Sequence, residues 1–255
     1  MNEIIVETDL NSFDRSSQLP ISTLYLWGQK CRLQLYFAGS LLQLRQTVGP
    51  MMVKAQSFQF TAEDLIPKVN TRVKVSQKVG SIGKTSLTFA LSFQNENDVE
   101  FAIGYVTMVC VADGKAQPLP QDFIDSLRKE LTSEPSAQPE FERITALRST
   151  NELIEKDSIN WEVVSTLQVL LRNSDEDTNK HVRHTKYAMF FEDVLQELPN
   201  GVATKRYKYL SVDYIKECHR NEVLIVTMKK DKHSNRALLL THRNEELVCK
   251  GFGIW

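Results

Sequence analysis

The stretch Asp177-Thr-Asn-Lys-His181 sets a carboxylate, a carboxamide and an imidazole at alternate positions, directly ahead of an apolar-periodic segment. Tyr187, Phe190, Phe191, Val194, Leu195 and Leu198 recur at helical spacing, so a helix from about Arg183 would bury one continuous stripe. A helix start offers unpaired backbone N–H groups and the positive end of the dipole, where an oxyanion is stabilised. Asp177, Asn179 and His181 in that place supply a nucleophile or base, a donor and a proton carrier, the parts of a hydrolytic site. In an extended segment their alternation would turn all three side chains to one side. Taken singly, Asp177 or Asn179 reads as a capping or turn residue, so the trio carries the chemistry.

A second element agrees. The strand-like run from Leu210 to Leu224 contains the pair Glu217-Cys218. With Asp-x-Asn-x-His-Val and the Tyr187-containing helix, it resembles the hotdog-fold thioesterases, most closely the plant-type acyl-acyl carrier protein (ACP) thioesterases. The likeness covers residues 172 to 226 well and the remainder by pattern. It implies an α+β tandem, or double, hotdog, in which each unit is a long helix wrapped by an antiparallel sheet. It also implies an acyl thioesterase that releases free fatty acid from an ACP or coenzyme A thioester, with no cofactor. In the family, the positions matching Asp177, Asn179, His181 and Glu217 are the catalytic ones, and the position of Cys218 is an alternative nucleophile with His181 as its base. A cysteine among β-rich neighbours reads as buried core, which favours the carboxylate. One departure bears on the substrate: Arg183 and His184 stand where the family usually has two asparagines.

Composition excludes more than it assigns. The 255 residues are 42% hydrophobic with a formal net charge of -1, an ordinary globular balance with no bulk attraction to nucleic acid or membrane. Cys31, Cys110, Cys218 and Cys249 are widely spaced without a C-x-x-C pair, so neither a zinc site nor a disulfide framework is expected. No apolar run approaches the ~20 residues of a membrane span. Met1 to Leu10 is acidic and β-like, unlike an export signal or the family's plastid presequence, so a cytoplasmic or other reduced compartment is expected. His184, His219, His233 and His242 show no helical metal-ligand spacing, and Gly80-Ser-Ile-Gly83-Lys84 lacks that of a phosphate loop. Lys205, Arg206, Lys208, Lys216 and Arg220 gather near Glu217, either as a solvated face or as a dock for an acidic carrier or the phosphates of coenzyme A.

The elements that must hold the site come in two matching sets. The first half reads as a strand from Ile4 to Leu10, a helix from Pro20 to about Ala38, and strands at Met52 to Phe60, Arg72 to Lys78, Ser86 to Phe93 and Phe101 to Val111. The second reads as Glu162 to Leu171, the opening helix, then Val202 to Tyr214, Val223 to Lys229, Ala237 to His242 and Leu247 to Trp255. Between them lie a charged helix over Gln121 to Leu131 and a Pro/Ser-rich linker over Thr132 to Pro139. The expected units are 1–115, a linker with helix at 116–160, and 161–255 carrying the site. Aligned at an offset of 163, Asp14 falls on Asp177, Ser16 on Asn179 and Gln18 on His181; at an offset of 154, Glu63 falls on Glu217. The first copy keeps the acids and loses the imidazole. Such a pair would form a pseudo-dimeric monomer or a homodimer. The first helix, with Leu24, Trp27, Cys31 and Leu35, supplies either core or acyl-pocket lining. A non-catalytic acyl-binding module and a hydratase are the alternatives, and the complete set in the second copy argues against both.

Overall fold

The structure is a computed structural model that describes residues 2–14, 17–38, 51–112, 114–132, 160–198 and 206–255. Strand β1 (Asn2–Glu7) precedes helix α1 (Ile21–Ala38), followed by β2 (Met51–Phe60), β3 (Arg72–Ile82), β4 (Ser86–Gln94), β5 (Glu100–Ala112) and the short β6 (Lys115–Ala116). Helix α2 (Gln121–Thr132) leads to β7 (Trp161–Leu170), α3 (His184–Gln196), β8 (Tyr209–Tyr214), β9 (Val223–Asp231), β10 (Arg236–Arg243) and β11 (Glu246–Ile254).

The described strands form one antiparallel sheet in the order β1-β3-β4-β5-β2-β8-β11-β10-β9-β7, with β6 paired to β5. Each half therefore repeats one order, first strand, third, fourth, fifth, second, and the halves join where β2 meets β8. At that seam Phe58 pairs with Leu210, Ser57 with Ser211 and Gln56 with Val212. This register is symmetric about Ser57 and Ser211, whose separation (211 − 57 = 154) is the strand offset read from the sequence.

Alternation fixes which sheet face is dry. Along β4, Leu87, Phe89, Leu91 and Phe93 are buried and their neighbours half-buried, the period of two that a one-sided sheet requires. Leu24, Trp27 and Cys31 of α1 and Tyr187, Phe191, Val194 and Leu195 of α3 fall in the same apolar cluster as that face. The side chain of Leu35 lies outside the described ones. A Cβ at Gly104 would meet the Phe58 ring at 2.3 Å, and one at Gly251 the Phe191 ring at 2.7 Å, so glycine lets large rings lie flat on the sheet in both halves.

Several boundaries depart from the sequence reading. β1 stops at Glu7, where Leu10–Ser12 turns as a 3-10 helix closed by the Asp9 and Ser12 side chains. β3 continues through Gly80 to Ile82, because its pairing with β4 persists across a bulge between Val79 and Ser81. β8 begins at Tyr209 rather than Val202; residues 202–205 lie outside those described, and so does the linker from 133 onward. α2 carries Ile124, which with Leu119 and Cys110 forms a small second cluster against Met51 and Ile82 of the first half. Among the described residues, no helix is long and apolar enough to cross a membrane.

Candidate active site

The stretch ahead of α3 is a closed turn and not the extended segment that alternation suggested. The Asp177 N–H donates to the His181 carbonyl at 2.8 Å, the Lys180 N–H donates back to Asp177 at 3.1 Å, and Lys180 takes a positive φ of 63°. The Asp177 carboxylate folds onto this turn, its Oδ1 accepting the N–H groups of Asn179 at 2.7 Å and His181 at 3.2 Å. Its Oδ2 meets the Asn179 amide nitrogen at 3.5 Å, which leaves that oxygen largely uncommitted. An Asp side chain closing its own turn in this way is a local competitor to extended structure, and here it wins.

The first copy builds the same turn. Asp14 N–H donates to the Gln18 carbonyl at 2.8 Å, Gln18 N–H donates to the Asp14 Oδ1 at 2.9 Å, and Ser17, which aligns with Lys180, has a φ of 57°. Ser16 lies outside the described residues. What differs is the side-chain chemistry. In the second copy His181 Nε2 lies 3.2 Å from Glu217 Oε2, with the two side chains 30% and 47% exposed and so within reach of water. In the first copy Gln18 occupies the histidine position, and Glu63 is taken up by Lys208 at 2.8 Å and Arg206 at 3.9 Å.

Glu217 lies in the loop after β8 rather than at a strand end. That loop is pinned to the turn: Val182 N–H donates to the Cys218 carbonyl at 2.8 Å, His219 Nδ1 donates to the Lys180 carbonyl at 3.0 Å, and Arg220 N–H donates to Glu176 at 2.8 Å. From β10, the Arg243 guanidinium reaches the Glu217 carbonyl at 3.1 Å and Glu222 at 3.0 Å. The carboxylates of Glu246 and Glu222 that hold this guanidinium keep it firmly charged. Arg243 is not among the site candidates drawn from the sequence, and no local signal marks it. His219 had one, its place two residues beyond Glu217. Its ring stands edge-on to that of His181, with centroids 5.3 Å apart.

The remaining candidates separate clearly. Cys218 is 1% exposed, and burial pushes its thiol above the usual range against the opposing hydrogen bond to Tyr187, as expected of a core cysteine. Of the basic group, Arg206 and Lys208 pair with Glu63 and Lys216 pairs with Glu246, so most of its charge is internally matched; Lys205 lies outside the described residues. Ligand atoms of His181, Glu217 and His219 all lie within 4.8 Å of one another, the residue types of a divalent-ion site, although His219 commits Nδ1 to Lys180.

Comparisons with known proteins bear on the second half through a family model and on the fold of the whole chain through solved structures. Residues 159–250 match the acyl-ACP thioesterase C-terminal domain family. Among solved structures, an acyl-ACP thioesterase from Bacteroides thetaiotaomicron is similar over 99% of this chain and 96% of its own, at 16% identity and a TM-score of 0.74. A 12:0-ACP thioesterase from Umbellularia californica is similar over 99% of this chain and 96% of its own, at 14% identity and a TM-score of 0.72. Comparison with curated protein sequences gives no match.

Proposed function

We propose that this chain, a hydrolase of fatty acyl thioesters whose residues 159–250 match the acyl-ACP thioesterase C-terminal domain, works through His181, Glu217, Asp177 and Asn179. The observation that carries the assignment is the 3.2 Å contact between His181 and Glu217, made in one of two otherwise matching turns. A carboxylate accepting Nε2–H fixes the imidazole tautomer whose Nδ1 bears the free lone pair, as in a hydrolytic triad. Glu217 is thus the positioning residue and His181 the base.

The reaction then balances without a cofactor. His181 Nδ1 takes a proton from water as the water oxygen attacks the thioester carbonyl carbon. The resulting oxyanion meets the Asn179 amide and the dipole at the start of α3. The C–S bond breaks with its electrons on sulfur, the thiolate takes the proton back from His181, and a free fatty acid leaves. Asp177 anchors the turn through Oδ1, and its negative charge in that turn favours the imidazolium that forms transiently.

The finer readings belong to the same proposal. The chain is a tandem hotdog with units 1–115 and 161–255 joined through 116–160, and it acts as a pseudo-dimeric monomer. ACP is the carrier: Lys180, Arg183 and Arg220 are exposed around the turn and suit an acidic partner. A panel of acyl-ACP and acyl-coenzyme A thioesters, read by free thiol release, tests both activity and carrier. Faster turnover of the ACP thioesters supports the reading, and turnover of neither rejects it.

A further inference from the structure

The two helix N-termini of this duplicated fold are closed unequally. At the start of α1, the Ser22 N–H donates to Glu192 Oε1 of α3 at 3.1 Å, so a protein carboxyl group meets the positive end of that helix. The residue aligned with Glu192 in the first copy is Gln29 (192 − 163 = 29), which is not an acid. What reaches the start of α3 is instead Arg32, whose Nη2 lies 3.0 Å from Nε2 of His184, the first residue of that helix.

Arg32 is 3% exposed, and its Nη1 has no hydrogen-bond partner among the described residues. A buried guanidinium at the positive end of a helix, facing a neutral imidazole, is the reverse of ordinary compensation, because both features call for negative charge. Burial, followed by the Arg32 charge, holds His184 well below the usual histidine range, so the imidazole accepts from Arg32 and cannot share its charge. The Tyr214 hydroxyl continues the chain, 2.9 Å from both the His184 carbonyl and Gln56 Oε1. Gln56 is 1% exposed, and its Nε2 also lacks a partner among the described residues. Both orphan atoms, Arg32 Nη1 and Gln56 Nε2, are donors, so the missing group is an acceptor.

We propose that Arg32, together with Gln56 and His184 at the N-terminus of α3, forms an internal carboxylate-binding subsite adjoining the catalytic turn. A planar guanidinium fork matches a carboxylate. The inference rests on thioester hydrolysis for the origin of that carboxylate, which has two sources. One is the free fatty acid released at each turnover; the other is a carboxyl group at the far end of a dicarboxylic acyl chain.

The test uses the full chain with octanoate as probe and octanol as its uncharged control, read by calorimetry and by thermal shift. Wild type should bind octanoate, and Arg32→Met should weaken that binding about tenfold or more while leaving octanol binding unchanged. Arg32→Met should itself melt at or above the wild-type temperature, since an apolar side chain replaces an uncompensated charge. Should Arg32→Met fail to fold, Gln56→Leu provides the second variant, expected to weaken octanoate about threefold. Turnover separates the sources. If the product acid fills the subsite, Arg32→Met raises the octanoate inhibition constant and treats octanoyl and 7-carboxyheptanoyl thioesters alike. If a dicarboxylic chain does, the variant loses about tenfold in kcat/KM on the 7-carboxyheptanoyl thioester alone. Octanoate binding that is equal in wild type and variants, with no selective loss on either thioester, overturns the proposal. Arg32-dependent octanoate binding in a chain that hydrolyses no thioester upholds the subsite and removes the hydrolase reading.

Discussion

Replacing Glu192 by Gln isolates one electrostatic contribution to folding and gives it a size. Glu192 is partly buried between α1 and α3, and burial raises its pKa from 4.5 to about 7 against the opposing hydrogen bonds from Ser22 and Ile21. The folded state therefore holds a proton that the unfolded chain releases near pH 4.5, so stability from this group is full below that pH and is lost as pH rises to about 7. The rise from 4.5 to about 7, at ~1.36 kcal/mol for each tenfold change in proton affinity, sets a ceiling of ~3.4 kcal/mol. Solvent screening of a partly exposed group trims this to about 1–3 kcal/mol. Glutamine keeps an oxygen that accepts the Ser22 N–H and removes the titration. Thermal melts of wild type and Glu192→Gln at pH 5 and pH 8 should show the variant gaining about 3–9 °C more at pH 8 than at pH 5. Other titrating groups, His184 and Asp231 among them, are common to both proteins and cancel in the difference. A gap that is flat with pH, or that narrows as pH rises, would refute the reasoning.

Four further outcomes follow from the site. Asp177→Asn and Asp14→Asn each keep the oxygen that closes their turn, so both should fold with melting temperatures within a few degrees of wild type. Activity should fall about a hundredfold or more in Asp177→Asn alone, as measured by thiol release, because only that turn carries a histidine. Cys218→Ala should keep most of its turnover, and abolition would move the nucleophile to sulfur. Trp27→Ala should cost about 3–5 kcal/mol of stability if Trp27, 2% exposed, is core alone; a shift in chain-length preference in an acyl panel would make it pocket lining as well. Prolonged treatment with EDTA should leave turnover unchanged, and a loss restored by zinc would assign His181, Glu217 and His219 to a metal.

The architecture was legible because its signals are periodic and occur twice. The helix stripe through Tyr187, Phe191 and Leu195, the alternation of Leu87, Phe89, Leu91 and Phe93, and the offsets of 163 and 154 all reappear as packing and register. Local chemistry was harder to read. Alternation of Asp177, Asn179 and His181 suggested an extended segment, whereas an Asp side chain that bonds its own turn overrides alternation, and Lys180 at positive φ gives no warning in its residue type. Arg32 and Tyr214 escaped because their partners lie far along the chain: Arg32 meets His184 across 152 residues and Tyr214 meets Gln56 across 158. Pairings of that range follow from the β2–β8 seam and the contact between the helices, which composition and spacing do not encode.

The central claim is that His181, held by Glu217, is the base of a thioester hydrolase, and His181→Gln tests it most directly because it places in the second turn the residue the first already carries. Single-turnover hydrolysis of an acyl-ACP thioester should slow by about 10²–10⁴-fold with the melting temperature preserved. A His181→Gln protein that hydrolyses the thioester within a few-fold of wild type would contradict the account.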